Sequence, residues 1–307
     1  MPGRLHVPLT EEGRQAPREA SQKAPALIDI TASQLAAVFG LAASASFGSG
    51  DFCGGIAAKR SHVFGVLATG RACGFIAAAA LAALSGEEWP SIAALGWACA
   101  AGVVGTLALP AFYRALAIGK MGIGAPVTSV LAAGVPVVVA TVTQGFPKLI
   151  QVVGLLLALV ALWLMSRPQG RTRPEGLGLA VFAGLGFGAF LVCIHLAGSE
   201  SLYWAMAVAL ATSLVLSLII LIAQGGSLPR FGALPIAATA GLLDTCGNVS
   251  FVLASRYGRL DVAAILSSLY PGVTVLLAWL LLKERITPLQ SVGMTAALIA
   301  VPLITAY

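Results

Sequence analysis

The chain has 307 residues, 58% of them hydrophobic and 10% charged, with a mean hydropathy of +0.93 and a formal net charge of +6. Soluble domains carry about 25% charged residues, so there is too little polar surface here for a water-soluble fold, and most of the chain must face lipid. The basic residues stand at the ends of apolar runs, as at membrane boundaries, and form no stripe that would suit a nucleic acid.

In chain order, residues 1–30 are polar and proline-bearing, without periodicity, and are expected to be a disordered tail. They contain no short apolar core followed by a small-residue cleavage site. A membrane-crossing helix needs about 20 apolar residues. Ten such runs follow, near 32–56, 62–84, 91–117, 121–143, 148–166, 176–197, 201–223, 231–254, 258–282 and 287–306. Their connections are short ("AKRSH", "SGEEWP", "QGFPK", "GSES"), leaving no room for a soluble domain. The longest, "SRPQGRTRPEG", places a linker at 167–175 between units 31–166 and 176–307. The expected fold is therefore an all-α polytopic membrane protein of ten transmembrane helices.

One charged knot, Lys283-Glu284-Arg285, interrupts the last two runs. Charge is costly at membrane depth, so the knot marks a turn. After it, Thr287 can cap a helix, Pro288 suits the first helical position and Gln290 can complete a capping box. The five cysteines, Cys53, Cys73, Cys99, Cys193 and Cys246, are dispersed in apolar runs and read as small packing residues. No metal site, disulfide framework or cofactor is expected.

The two units share matches in order. Phe47-Gly48 pairs with Phe187-Gly188, Ser129 with Ser267, Gly134 with Gly272, Gln151 with Gln290 and Gly154 with Gly293. Five spans per unit would make the second unit enter the membrane inverted. Inverted repeats underlie many secondary transporters, with the site near the midplane between the halves.

The stretches "YRALAIGKMGIGAPVTSVL" and "ASRYGRLDVAAILSSLYPGVTVLLAWLLLKERITPLQSVGMTAALIAV" resemble the repeated EamA domain of the drug/metabolite transporter superfamily. The resemblance covers about residues 32–306. It implies two inverted five-helix halves, export or exchange of a small metabolite, and termini on the inner side; separately, "ITAY" bears no eukaryotic retention or lipidation signal, which fits an expected bacterial cytoplasmic (inner) membrane. The first half departs from the pattern, because Gly145 and Phe146 occupy the positions that match Glu284 and Arg285. Glu284 is accordingly read as a turn residue. The positive-inside balance does not favour the orientation that the resemblance implies.

Polar residues at membrane depth are the best pointers to a site. Arg71 lies mid-span and could bind an anionic group or partner an acid. Asp244, Asn248, Phe251 and Ser255 follow one another on one helix face, and Ser267, Tyr270 and Thr274 make a similar stripe with Pro271 as a kink. Tyr113 and Ser129 complete the cavity candidates. Asp244, then Asp51, are the candidate proton carriers, and His195 near its span end reads as solvated. This set suits a zwitterionic or polar metabolite at least as well as a lipophilic cation, so an organic-cation exporter is the alternative. An intramembrane enzyme would need converging acids or histidines, and neither paired carboxylates nor HExxH occurs. No G-x-x-x-x-G-K-[ST] motif is present for ATP. The partners expected are a small-molecule solute and the lipid bilayer, with no nucleic acid.

Overall fold

The computed structural model describes residues 31–58, 60–118, 121–165, 176–283 and 286–304. The expected tail, the linker at 167–175 and the Glu284-Arg285 pair lie outside these. The described residues form eleven helices and no strand: α1 (Ala32–Ala58), α2 (Val63–Ser85), α3 (Ile92–Ile118), α4 (Met121–Gln144), α5 (Leu149–Met165), α6 (Leu177–Gly198), α7 (Leu202–Ala223), α8 (Leu234–Tyr257), α9 (Leu260–Ser268), α10 (Tyr270–Leu282) and α11 (Pro288–Ile304). Seven segments are long and apolar enough to cross a membrane, α9 and α10 together making one of them. Val130–Gln144, α5 and α11 are shorter apolar helices. The chain is an integral, multi-pass membrane protein.

Lipid reverses the usual placement of large and small side chains. Without a hydrophobic drive between helices, association depends on close packing of small residues. Most of the fully enclosed positions are accordingly alanines, such as Ala43, Ala78, Ala98, Ala101, Ala183 and Ala205. Large aliphatic and aromatic side chains, including Ile76, Val138, Phe182, Val215 and Leu298, point outward.

The ninth expected span differs in form. It breaks at Leu269, where the Leu269 amide donates to Leu266 O and the Gly272 amide to Leu269 O, each skipping one residue less than in an α-helix. Pro271 has no amide hydrogen to donate to the Ser267 carbonyl, so the helix restarts at Tyr270. The turn before α11 follows the expected capping box. The Gln290 amide donates to Thr287 Oγ1 at 3.2 Å, and the Thr287 amide to Gln290 Oε1 at 2.9 Å. Gln151 does the same for the Lys148 amide at the start of α5, at 3.1 Å. Lys283, ahead of α11, takes a left-handed conformation at φ 56°.

Helix pairing follows a reciprocal scheme. α1 packs on α8 as α6 packs on α3, α2 on α8 as α7 on α3, and α1 on α9 and α10 as α6 on α4. α2 meets α7, and α5 meets α11. The closest contacts follow the same scheme. A Cβ on Gly241 would stand 2.2 Å from the Gly70 backbone, and one on Gly102 would stand 2.5 Å from Ala209 O. Likewise Gly154 abuts Ile304, and Gly293 abuts Met165.

One end of the bundle carries a dense set of links between the segment before α6 and the segment from α6 onward. Glu87 accepts from the Leu202 amide (3.2 Å), the Tyr203 amide (2.9 Å) and Ser201 Oγ (2.8 Å), closing the N-terminus of α7. Glu200 accepts from the Ser91 amide and Ser91 Oγ, each at 2.9 Å, at the N-terminus of α3. Each loop thus supplies a carboxylate to the other's helix start, where unpaired amides and the helix dipole favour an anion. Trp89 and Trp204 meet beside this clasp as a tilted pair with centroids 4.7 Å apart. At the same end Arg259 donates to Gln144 O and Gly145 O and pairs with the buried Asp261 at 2.9 Å. Phe39 stacks on Tyr257 at 5.7 Å.

The Ser91 bonds hold the Glu200 carboxyl below its ordinary value of 4.5. A carboxyl whose value is depressed in the joined form contributes above its free value, and loses that contribution as pH falls through the depressed value. The Glu200 half of the clasp therefore persists at neutral pH and is lost only as pH falls through that depressed value.

Two outcomes are expected. Gly241→Ala forces the α2 and α8 backbones apart and lowers stability by about 1–3 kcal/mol, read as a lower thermal midpoint in detergent; Gly96→Ala, with open space around its Cβ, does not. Glu200→Ala accelerates hydrogen exchange in the first turn of α3 while sparing that of α7, and Glu87→Ala does the reverse.

Candidate functional site

A cavity of about 420 Å³ lies between α1, α2, α3, α6, α8 and the broken pair α9–α10. Its volume falls in the range of small-molecule sites, roughly 300–1,000 Å³. It extends along the bundle to Ala58 and Val63 at the α1–α2 turn, which is the end opposite the Glu87–Glu200 clasp.

The polar wall is built by three helices. The near-contact of Gly70 with Gly241 brings the next turn of α8 against α2, and the Arg71 guanidinium donates through Nη1 to Asp244 Oδ2. The two side chains are 18% and 34% exposed, so the pair faces the cavity without being open to bulk solvent. Asn248, one turn further along α8, donates through Nδ2 to Asp244 O at 2.8 Å and to Asp244 Oδ2 at 3.2 Å. Asp51 on α1 is exposed to the cavity within electrostatic reach of Asp244. Among the described residues it has no hydrogen bond or ion pair. Ser267 and Tyr270 line the floor beside the helix break, with Ser267 Oγ donating to Ala264 O at 3.0 Å.

The other wall is apolar. Phe112 meets Phe187 edge-on with centroids 6.1 Å apart, and Phe190, Leu109 and Leu191 continue the surface. Phe47 meets Tyr270 edge-on at 6.4 Å. Sequence reasoning missed this aromatic lining. Phe47 and Phe187 were visible as a repeated Phe-Gly pair, but spacing alone does not say which face of a helix meets a cavity.

Of the expected site residues, Arg71, Asp244, Asn248, Ser267, Tyr270 and Asp51 come together at this cavity. The side chains of Tyr113 and Ser129 lie outside the described residues. The stripe beyond Asn248 turns away from the cavity. Phe251 is fully enclosed in the core, and Ser255 Oγ bonds His195 Nδ1 at 2.8 Å. His195 is thus half-buried and hydrogen-bonded rather than solvated, because the α6–α8 packing covers its span end. Thr274 donates to Gly48 O at 3.1 Å and joins α10 to α1 instead of facing the cavity.

Loss of either member of the Arg71–Asp244 pair leaves a charge stranded in a poorly solvated place. Arg71→Gln or Asp244→Asn alone is expected to lower thermal stability, by less than the ~3–5 kcal/mol of a fully buried pair. The double variant should recover part of the loss, and a double-mutant cycle in detergent reads the coupling directly.

A solved crystal structure of a protein 16% identical to this chain superposes with a TM-score of 0.73, covering 88% of this chain and 98% of that one, and so shares its fold. No curated protein matches the chain in sequence. Residues 174–306, containing α6 to α11, match the EamA-like transporter family. This later part of the chain is therefore similar to an EamA-like transporter domain.

Proposed function

We propose that the protein is a secondary transporter that moves a small organic solute by alternating access between two inverted five-helix repeats, 31–166 and 176–307, in ten spans. The observation that carries this reading is the placement of the cavity. A mid-helix polar cluster faces a space that runs to one end of the bundle, while the other end is held shut by the Glu87 and Glu200 contacts. A two-sided gate needs such an asymmetric state.

The inverted-repeat part rests on the reciprocal pairing of helices and on paired close contacts such as Gly70–Gly241 with Gly102–Ala209. The α5 and α11 capping boxes, at Lys148-Gln151 and Thr287-Gln290, occupy corresponding places. The clasp is then a gate that must open in the opposite state. The location in this reading is a bacterial inner membrane, and termini on the inner side follow from the resemblance of the sequence to EamA transporters. The intramembrane-enzyme reading gains no support from the site, where Arg71, Asp244 and Asn248 are engaged with one another.

Proton coupling is part of the proposal, with the order of carriers reversed. Asp244 is engaged by Arg71 and Asn248, whereas Asp51 faces the cavity without a partner among the described residues. The charged or titratable groups lining the cavity around Asp51 are Asp244 from α8, Arg71 from α2 and Tyr270 from α10. Asp51 is therefore the carboxylate placed to exchange a proton for solute.

The test is flux into liposomes carrying the purified protein, across amino acids, nucleosides and organic cations, with and without a pH gradient. Saturable flux of one class is expected, with its gradient-driven component lost in Asp51→Asn and equilibrium exchange retained. Full gradient-driven flux in Asp51→Asn would sink the coupling role. Absence of flux for every class would sink the transporter reading.

A further inference from the structure

A second and much smaller space adjoins the cavity, between α2, α3, α6, α7 and α8. It measures about 10 Å³, and the small residues Gly102, Gly105 and Ala209 on its border leave it room. Arg71 and Asn248 border both spaces. A single water needs roughly 10–15 Å³, so one water fits here and nothing larger does.

The polar groups at this border are one donor and two acceptors. Among the described residues three buried side-chain atoms have no hydrogen-bond partner, and two of them are Arg71 Nε and Asn248 Oδ1. The Asn248 amide cannot be turned the other way. Its Nδ2 donates to two oxygens of Asp244, and a flipped amide would set its own oxygen against both. Ser213 supplies the second acceptor. The one hydroxyl hydrogen of Thr106 goes to Gly102 O at 2.7 Å, so the 2.7 Å bond between Thr106 and Ser213 takes its hydrogen from Ser213. The Ser213 oxygen keeps a lone pair, and Ser213 borders the same small space.

We infer that this space is a binding site for one ordered water, which accepts from Arg71 Nε–H and donates to Asn248 Oδ1 and Ser213 Oγ. Three bonds are the usual complement of a buried water, and no other small ligand suits the set. A halide accepts but cannot donate, so it would stand as a negative charge against Asn248 Oδ1. A metal cation would meet the Arg71 guanidinium. The water holds that guanidinium from the side opposite its carboxylate partner, and it links α2 to α7 as well as to α8. The site takes water alone and does not depend on any solute being transported.

The test uses the purified full-length protein in detergent under pulsed X-rays, which convert ordered water to hydroxyl radicals in place. Methionine oxidation is then read by mass spectrometry. Met206 borders the small space and is 1% exposed, while Met165, 2% exposed, borders neither space and is the control. Met206 should be oxidised at least fivefold faster than Met165. Asn248→Leu, which removes an acceptor and fills the space, should bring Met206 down to the Met165 rate. Ser213→Ala, a milder change that decides alone if Asn248→Leu does not fold, should slow it at least twofold. Met206 as slow as Met165 overturns the inference, as does a Met206 rate unmoved by the folded variants. A structure that resolves ordered solvent should show one peak within hydrogen-bond distance of Arg71 Nε, Asn248 Oδ1 and Ser213 Oγ. No peak there, or a peak that grows when chloride is replaced by bromide, overturns the water assignment. Neither measurement involves flux, so the water site and the transport reading can fail separately.

Discussion

At the crossing of α2 and α8 two backbones touch. Gly70 and Gly241 have no side chains to hold the helices apart; a Cβ on Gly241 would collide with the Gly70 backbone at 2.2 Å, and one on Gly70 would crowd Gly241 Cα at 3.0 Å. That approach puts the Arg71 guanidinium within reach of Asp244 one residue later, and Asp244 in turn orders Asn248. In lipid an arginine and an aspartate at mid-helix are tolerable only when paired or facing a polar space. The close crossing supplies the first condition and the cavity beside it supplies the second. Were the helices at an ordinary separation, neither charge could stay where it is.

The reciprocal packing scheme makes the position of these polar groups informative. In the register that sets Gly102 against Gly241 and Phe47 against Phe187, Arg71 corresponds to Leu210, Asp244 to Gly105, Asn248 to Leu109 and Asp51 to Leu191. Every polar member of the cluster thus has an apolar counterpart, and Gly105, Leu109 and Leu191 line the same cavity. On the inverted-repeat reading, the similarity of the halves builds the scaffold and their differences build the site. A symmetric cavity would have duplicated both charges and doubled the desolvation cost. The asymmetric one concentrates them on α1, α2 and α8 and leaves the facing wall greasy.

The two ends of the bundle are held differently for related reasons. A helix start exposes unpaired amides that must be satisfied, and at the clasped end Glu87 and Glu200 do this across the boundary between the halves rather than within one loop. Such contacts are directional and easily exchanged for water once the loops separate, unlike the interlocked small-residue seams deeper in the bundle.

Much of this was legible in the sequence. The low charge content required a lipid environment, the apolar runs located nearly every helix, and Thr287, Pro288 and Gln290 announced the start of α11 because capping chemistry is local. The Glu-bearing turn and the Gln-x-x-Gly helix of the second half pointed to the EamA family. Arg71 and Asp244 stood out because charge at membrane depth is rare. What local pattern does not encode is which face of each helix meets which neighbour. That is why Phe251 and Ser255, on the Asp244 stripe by spacing, face the core and His195, and why the aromatic wall went unseen. The pairing of Arg71 with Asp244 and the reciprocal carboxylate clasp join residues far apart in the chain, and Asp51 has no partner among the described residues. Composition, periodicity and caps act over a few residues and are fixed by the sequence directly, whereas these contacts exist only where packing of small residues brings distant helices together.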